Sequence, residues 1–437
     1  MTTLQAPRGT RDFYPEDMRR RDWLFGHFRA VSRSFGYEEV DAPVLEHAEL
    51  FTRKAGEEIT EQLYHFELHE RHYALRGEFT PSLARMVMAR AGALRLPLRW
   101  TAIPQCWRYE RMTRGRRREH YQWNMDVWGE PGVGAEAELV AAVFAFADRV
   151  GLAEGDLRVG VNSRALLEET LRAGVLRDRP EVFPALCVAI DKLGKIGADA
   201  VVELLTAPAG GIALPAPDAR HVVEWLQLRS LDEAAQAAPK DSGARADLER
   251  FFELLDAYGL RQRVDFDASI VRGLAYYTGI VFEAYDAERK LRAICGGGRY
   301  DRLLETLGGP PLPAAGFGFG DAVIGELLSE KGLWPECPRT LDAYVYAQGD
   351  AQRTAAIRLA SALRARGESV ELALGDVRLK RALADADRAG ARRFYLIGAD
   401  ELARGEVLVR DLSSGDQLSE RLPASAAGAT ARRDSRE

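Results

Sequence analysis

At 437 residues the chain is too long for one compact domain, and two or three are expected. Hydrophobic residues make up 46% and charged residues 29%, with no apolar run long enough to cross a bilayer, and the opening MTTLQAPRGTRDFYPEDMRRR lacks the apolar core of a secretion signal, so the expected location is cytoplasmic. A formal net charge of -6 excludes a globally basic, nucleic-acid-coating surface, and the four cysteines, Cys106, Cys187, Cys295 and Cys337, lack the paired spacing of a zinc site or a disulfide framework.

After Pro15, with Glu16 and Asp17 in the first turn, the spacing of Leu24, Phe28, Val31 and Phe35 predicts a helix with one apolar stripe that stops at Gly36. YEEVDAPVLE then gives a short strand ended by Pro43, which cannot donate in a ladder and belongs at an edge or an interface. A hairpin over 63–75, turning near Glu70 and Arg71, carries His65, His69 and His72; helical spacing would be needed to gather them on a metal. LRGEFT, Leu75 to Thr80, places a glycine and two polar side chains at a strand exit, which suits either a functional position or a plain turn. A helix is expected over 86–94.

The stretch from Cys106 to Gly129, CWRYERMTRGRRREHYQWNMDVWG, predicts an antiparallel hairpin turning at Arg114-Gly115. Strand side chains alternate between faces, so Arg108 and Glu110 oppose Trp107 and Tyr109. On the return strand His120, Gln122, Asn124 and Asp126 oppose Tyr121, Trp123, Met125 and Val127. The polar face is either the wet side of a half-buried sheet or a polar substrate floor. Arg111, Arg114, Arg116, Arg117 and Arg118 crowd the tip; a charge run is commonly a solvated face, but arginine also suits bidentate contact with phosphate.

An alanine-rich helix over 136–150 and a short strand near 157–161 lead into a helical insertion over about 165–255. The sheet resumes over 264–286 with a strand, a glycine-marked bend and a second strand alternating Ile280, Phe282 and Ala284. In LRAICGGGRYDRLLETLGG three glycines allow a close backbone approach before a helix from Tyr300, and PAAGFGFGDAVIGELL is a glycine-spaced strand running into a buried helix. No phosphate-cradling glycine–lysine loop occurs and GFGFG lacks dinucleotide-fingerprint spacing, so any nucleotide binds by another route. A linker at 331–339, with Pro335 and Pro338, precedes LDAYVYAQ, a helix over 351–366, SVELAL, a helix over 378–389, RRFYLIG and EVLVRDL. Their alternation predicts a small α/β sheet with right-handed crossovers over 340–423, and the composition of 424–437 predicts a disordered tail.

In their order, PRGTRDFYP, the Pro43 edge, LRGEFT, WRYER with GRRREHYQ, IVRGLAYYTGIVFE, GGGRYD, GFGFG and LKRALADADRAGARRFYLIGADE resemble the histidyl-tRNA synthetases, a class II aminoacyl-tRNA synthetase family, along nearly the whole chain. IVRGLAYYTG together with GGGRYD separates that family from other class II enzymes. The resemblance implies an α+β catalytic domain over 1–330 on a six-stranded antiparallel class II sheet with the helical insertion, a C-terminal α/β anticodon-binding domain, and a homodimer formed partly around Pro43. It implies that histidine's carboxylate attacks the α-phosphate of ATP, which enters with Mg2+ as a substrate, and that the histidyl-adenylate passes its acyl group to the 3'-terminal adenosine of tRNA(His). No tightly bound cofactor, resident metal or membrane contact is implied.

Carried over position by position, Arg108 and Arg272 would be the catalytic cations on the α-phosphate, with Glu110 at the adenine and Arg116 also on ATP. Glu78, Thr80 and Gln122 would bind the substrate's α-amino group, while Asp126, Tyr277 and Tyr300 would surround the imidazole; Arg114, Arg117 and Arg118 would meet the tRNA acceptor end. The sequence departs from the family pattern at Gly77 and Phe79, where LRPEGT is usual, at Ala275, where an acid is usual, and at Asp126, usually glutamate. Ala322-Val323 replaces a Glu-Arg pair whose arginine ordinarily holds the ATP γ-phosphate; either Arg111 or Arg116 takes over, or ATP is held more loosely. That loss also suits a non-catalytic paralogue, a histidine sensor or regulatory subunit, whereas Arg108, Arg272, the imidazole shell and the C-terminal domain suit the enzyme.

Overall fold

The computed structural model describes residues 4–52, 62–208, 211–271 and 277–423. They form two compact units, one ending at Pro335 and the other starting at Glu336. Arg272, Ala275 and the tail at 424–437 lie outside the described residues.

The first unit is built on one large sheet. Its strands are β1 (Glu38–Glu39), β5 (Leu98–Ala102), β6 (Gln105–Trp107), β7 (Glu119–Trp128), β8 (Leu157–Ser163), β9 (Val264–Phe266), β10 (Ile280–Asp286), β11 (Cys295–Arg299) and β12 (Ala314–Gly320). A small separate sheet holds β2 (Leu45–His47), β3 (His65–Leu68) and β4 (Arg71–Leu75). In the large sheet β5, β7, β12, β11, β10 and β8 run antiparallel to their neighbours, the six-stranded core expected above, and β1 and β9 add parallel edges.

Period-two alternation separates the two faces of this sheet. Trp123, Met125 and Val127 of β7, Phe317 and Phe319 of β12, and Phe282 and Ala284 of β10 belong to the main core. They pack against α1 (Pro15–Ser34) and α3 (Gly134–Arg149): the Phe28 ring lies 4.9 Å from Trp123, and Phe146 lies 5.1 Å from Phe319. Burying each such ring contributes roughly 1.5–3 kcal/mol. The stripe of α1 explains its docking, since Leu24, Phe28 and Val31 are all buried, and Gly36 ends the helix region at φ +78°, where other residues are strained. α3 also brings Glu136 beneath the sheet, where both its oxygens accept hydrogen bonds of 2.7 Å from Arg299 of β11.

Four local expectations change. The first arm of the central hairpin ends at Trp107, and 108–118 is an irregular loop, because its backbone pairs elsewhere: Tyr109 N–H donates to the Gln62 carbonyl at 2.7 Å and Arg118 N–H to Gly9 at 3.0 Å. The helix expected from residue 86 begins at Thr80, with Pro81 in its first turn, as α2 (Thr80–Arg90). Gly296, Gly297 and Gly298 lie inside β11, and the helix after them starts only at Leu303. The β3–β4 hairpin turns at His69 and Glu70, with φ of 49° and 60°, one position earlier than expected. Among the described residues no group of three or more His, Cys, Asp or Glu side chains is placed to hold a metal ion.

Between β8 and β9 the helical insertion runs from the helix at Arg164–Ala173 to that at Gly243–Ala257. The second unit has its own sheet, in the order β14 (Val370–Leu372), β13 (Leu341–Ala347), β15 (Ala391–Ile397), β16 (Glu406–Asp411), β17 (Gln417–Arg421), with the first three parallel. Helices at Asp350–Ala365 and Leu379–Arg388 cover its two faces, each over a separate core. β17 was not expected: all five of its residues are exposed, so it carries no alternation to read.

Candidate active site

On the face of the large sheet turned away from α1 and α3, an apolar cluster around Trp128 and Val281 gives way to small and polar groups. In β12 the phenylalanines point into the core, so Gly316, Gly318 and Gly320 fall on the opposite side, in register with Asp126, Asn124 and Gln122 of β7. The absent side chains make the room. A Cβ at Gly316 would collide with Asp126 Oδ1 and lie 2.6 Å from the Tyr300 hydroxyl, and one at Gly318 would lie 2.6 Å from Gln122 Cδ.

At one end of this floor, Tyr300 donates its hydroxyl proton to the Asp126 carboxylate, with both residues buried. Tyr277 is buried beside them, its ring 6.4 Å from that of Tyr300, and Phe79 and Trp128 complete the apolar surround. A carboxylate next to phenols in a dry pocket offers acceptors and donors of fixed position, the complement of a neutral imidazole. Glu78 and Thr80 are buried where β4 gives way to α2, and Glu78 shares a small cavity with Gly77, Leu63 and Arg108.

At the other end lies a cleft of about 290 Å³, bounded among others by Arg108, Glu110, Arg116, His120, Gln122 and Val323. Arg108 Nε donates to the Gly77 carbonyl at 2.8 Å and its Nη1 lies 3.9 Å from Glu110, which also pairs with Arg116. His120 is held neutral: burial, then the charges of Arg108, Arg11 and Arg116, push its imidazolium down to about 3. Opposite His120 in the β6–β7 pair, burial pushes the Cys106 thiol up to about 12, so it offers no nucleophile.

The arginine loop divides its charges among several tasks. Arg114 forms ion pairs with Glu326 (3.0 Å) and Glu330 (2.6 Å) of α4 (Asp321–Glu330), and the loop tip sits on the same helix, since a Cβ at Gly115 would lie 3.2 Å from Val323 Cγ2. Arg118 folds inward, its guanidinium 3.8 Å from the centre of the Tyr109 ring, and Arg117 is exposed at the cleft mouth. Arg111 is exposed and does not line the cleft, whereas Arg116 does. The structure thus gathers Arg108, Glu110, Arg116 and Gln122 in the cleft and Asp126, Tyr277 and Tyr300 at the pocket end.

Three residues escaped the sequence reading. Arg11 pairs with Glu119 (3.2 Å) and Asp321 (2.9 Å), and Asp321 accepts the Tyr121 N–H at 2.8 Å; this ties the PRGTRD segment to β7 and the start of α4. Glu283 of β10 and Arg292 of the β10–β11 turn also line the cleft. Glu283 could have been placed by the alternation in IVFEAYD, being out of phase with Ile280, Phe282 and Ala284. Arg292 sits in a turn and has no such signal.

A six-stranded antiparallel sheet, a β7 carrying polar groups under an arginine loop, and a glycine-spaced β12 running into α4 define the catalytic domain of a class II aminoacyl-tRNA synthetase. The chain belongs to the histidyl-tRNA synthetase family: that family's model matches residues 9–320, and an anticodon-binding-domain model matches 342–432. It is 51% identical over 421 residues to the chloroplastic/mitochondrial histidine–tRNA ligase of Arabidopsis thaliana, covering 96% of this chain and 85% of the relative. It is 40% identical over 420 residues to the histidine–tRNA ligase of Opitutus terrae, covering 95% of each. The crystal structure of a histidyl-tRNA synthetase from a Nostoc species shares the fold, with a TM-score of 0.73 at 23% identity, covering 96% of this chain and 97% of that one.

Proposed function

We propose that this chain activates L-histidine with MgATP and transfers it to tRNA(His). The observation that carries this reading is the Tyr300–Asp126 pair beneath Gly316, on the same sheet face as the arginine-lined cleft. An imidazole at that pair leaves the amino acid's carboxylate directed along the floor toward Arg108.

Arg108 and Arg272 hold the α-phosphate, Glu110 the adenine, and Arg116 the phosphates; Glu78, Thr80 and Gln122 take the α-amino group, and Asp126, Tyr277 and Tyr300 the imidazole. A carboxylate oxygen of histidine forms a bond to the α-phosphorus while the bond to the pyrophosphate oxygen breaks, and pyrophosphate carries the electrons away. No proton moves, so catalysis is alignment plus fixed positive charge around phosphorus. A hydroxyl of the tRNA's terminal adenosine then attacks the acyl carbonyl, the acyl–oxygen bond to AMP breaks, and AMP leaves with the hydroxyl's proton on its phosphate. Arg114, Arg117 and Arg118 belong to the surface that meets the acceptor end, and the unit over 340–423 reads the anticodon. Magnesium arrives on ATP; Glu283 is a carboxylate in the cleft that suits a phosphate-bound ion.

The chain works as a homodimer in the cytoplasm. Support for the dimer is the exposed apolar strip near Pro43, Val44, Leu45, Phe66 and Leu68; support for a reducing compartment is that none of the four cysteines is in a disulfide. A regulatory role is not favoured, since the chain keeps both the imidazole shell and the match to an anticodon-binding domain. Purified protein with saturating histidine and magnesium is expected to exchange labelled pyrophosphate into ATP only when histidine is present. Absence of that exchange overturns the reading.

A further inference from the structure

One wall of the cleft comes from the turn between β10 and β11. Ile294 fixes this turn: its N–H donates to Ala284 at 2.8 Å and its carbonyl accepts the Gly320 N–H at 2.9 Å, so the turn is fastened to the point where β12 becomes α4. Two residues earlier, Arg292 lines the same cleft as Arg108, Arg116, Gly318 and Val323. It is exposed and makes no ion pair among the described residues. Of the neighbouring arginines, Arg108 is engaged on Gly77 and Glu110, Arg116 on Glu110, Arg114 on Glu326 and Glu330, and Arg118 on Tyr109, while Arg117 is exposed at the cleft mouth.

The opposite wall favours anions, but its helical turn carries no side-chain cation of its own. Ala322 and Val323, in the first turn of the ten-residue helix α4, line the cleft, and the acidic residue that opens the helix, Asp321, is already neutralised by Arg11. Val323 itself is buried beneath the tip of the arginine loop. A cation for the terminal phosphates therefore has to come from outside this helical turn. We propose that Arg292 holds the β- and γ-phosphates of ATP, supplying from the β10–β11 turn the charge that Val323 does not. Its planar fork suits two phosphate oxygens at once. Negative charge accumulates on pyrophosphate as the α-phosphorus bond breaks, so a cation there stabilises the leaving group as well as the bound nucleotide.

This inference rests on the adenylate-forming reading above, and the test separates the two. Wild type, Arg292→Gln and Arg292→Lys are compared by histidine-dependent pyrophosphate exchange and by calorimetric binding of ATP and of AMP, which lacks the terminal phosphates. The glutamine variant is expected to raise KM for ATP about tenfold or more and to weaken ATP binding similarly, with AMP affinity and KM for histidine unchanged, and lysine is expected to recover part of the loss. A KM for ATP within twofold of wild type, or equal weakening of ATP and AMP, overturns the assignment. Absence of exchange in wild type sinks the parent reading instead, and the ATP-to-AMP binding ratio still reports on Arg292.

Discussion

His120 sets a pH dependence that the sequence does not advertise. Its folded pKa, about 3, lies far below the ordinary value of 6.5, so below that value the unfolded chain binds a proton that the folded chain refuses. The contribution is present in full above pH 6.5 and is lost as pH falls from there toward 3. Between pH 6 and 4.5, stability of the nucleotide-free protein should fall more steeply in wild type than in His120→Phe, by up to about 1.4 kcal/mol per pH unit. Parallel denaturation curves for the two proteins would show that His120 titrates normally. The same scale shows why the site was partly legible. Asp126 and Gln122 could be put on one face because β7 is regular, whereas Arg292 belongs to a turn whose direction is set by hydrogen bonds to β10 and β12, contacts that no local pattern records.

The element that decides the site is β12, where phenylalanine and glycine alternate so that one strand fills the core on one side and leaves space on the other. Gly316→Ala should test this most sharply, because the neighbours of the added methyl are the Asp126 carboxylate and the Tyr300 hydroxyl, which are tied to each other. Histidine binding by calorimetry should weaken at least 100-fold, about 2.7 kcal/mol, with ATP binding retained. Near-normal histidine affinity would place the imidazole elsewhere. Strands and helices with a clean period, α1, β7, β10 and β12, were readable from the sequence. The loop over 108–118 was not, since its backbone is anchored to Gly9 and Gln62, nor was β17, whose wholly exposed residues carry no burial pattern.

At the scale of the whole chain, the two units keep separate cores: every residue of the two C-terminal clusters lies beyond Leu341 or at it, and the clusters around the large sheet stop at Trp334. A chain ending at Pro335 should therefore retain histidine-dependent pyrophosphate exchange while charging tRNA at least 100-fold more slowly; loss of both activities together would show that the catalytic unit depends on its companion. The linker and the change of topology were legible as a change from antiparallel to alternating strand-helix pattern, while the pairing order of either sheet required the contacts themselves. Arg114 is clasped by Glu326 and Glu330. On the proposed placing of Arg114 at the tRNA acceptor end, those two carboxylates and an incoming phosphate compete for one guanidinium, so RNA would take Arg114 only by displacing Glu326 and Glu330, and whatever loosens the clasp would favour RNA in equal measure. Raised salt then acts in opposing directions, freeing the loop while screening the RNA it is freed to meet.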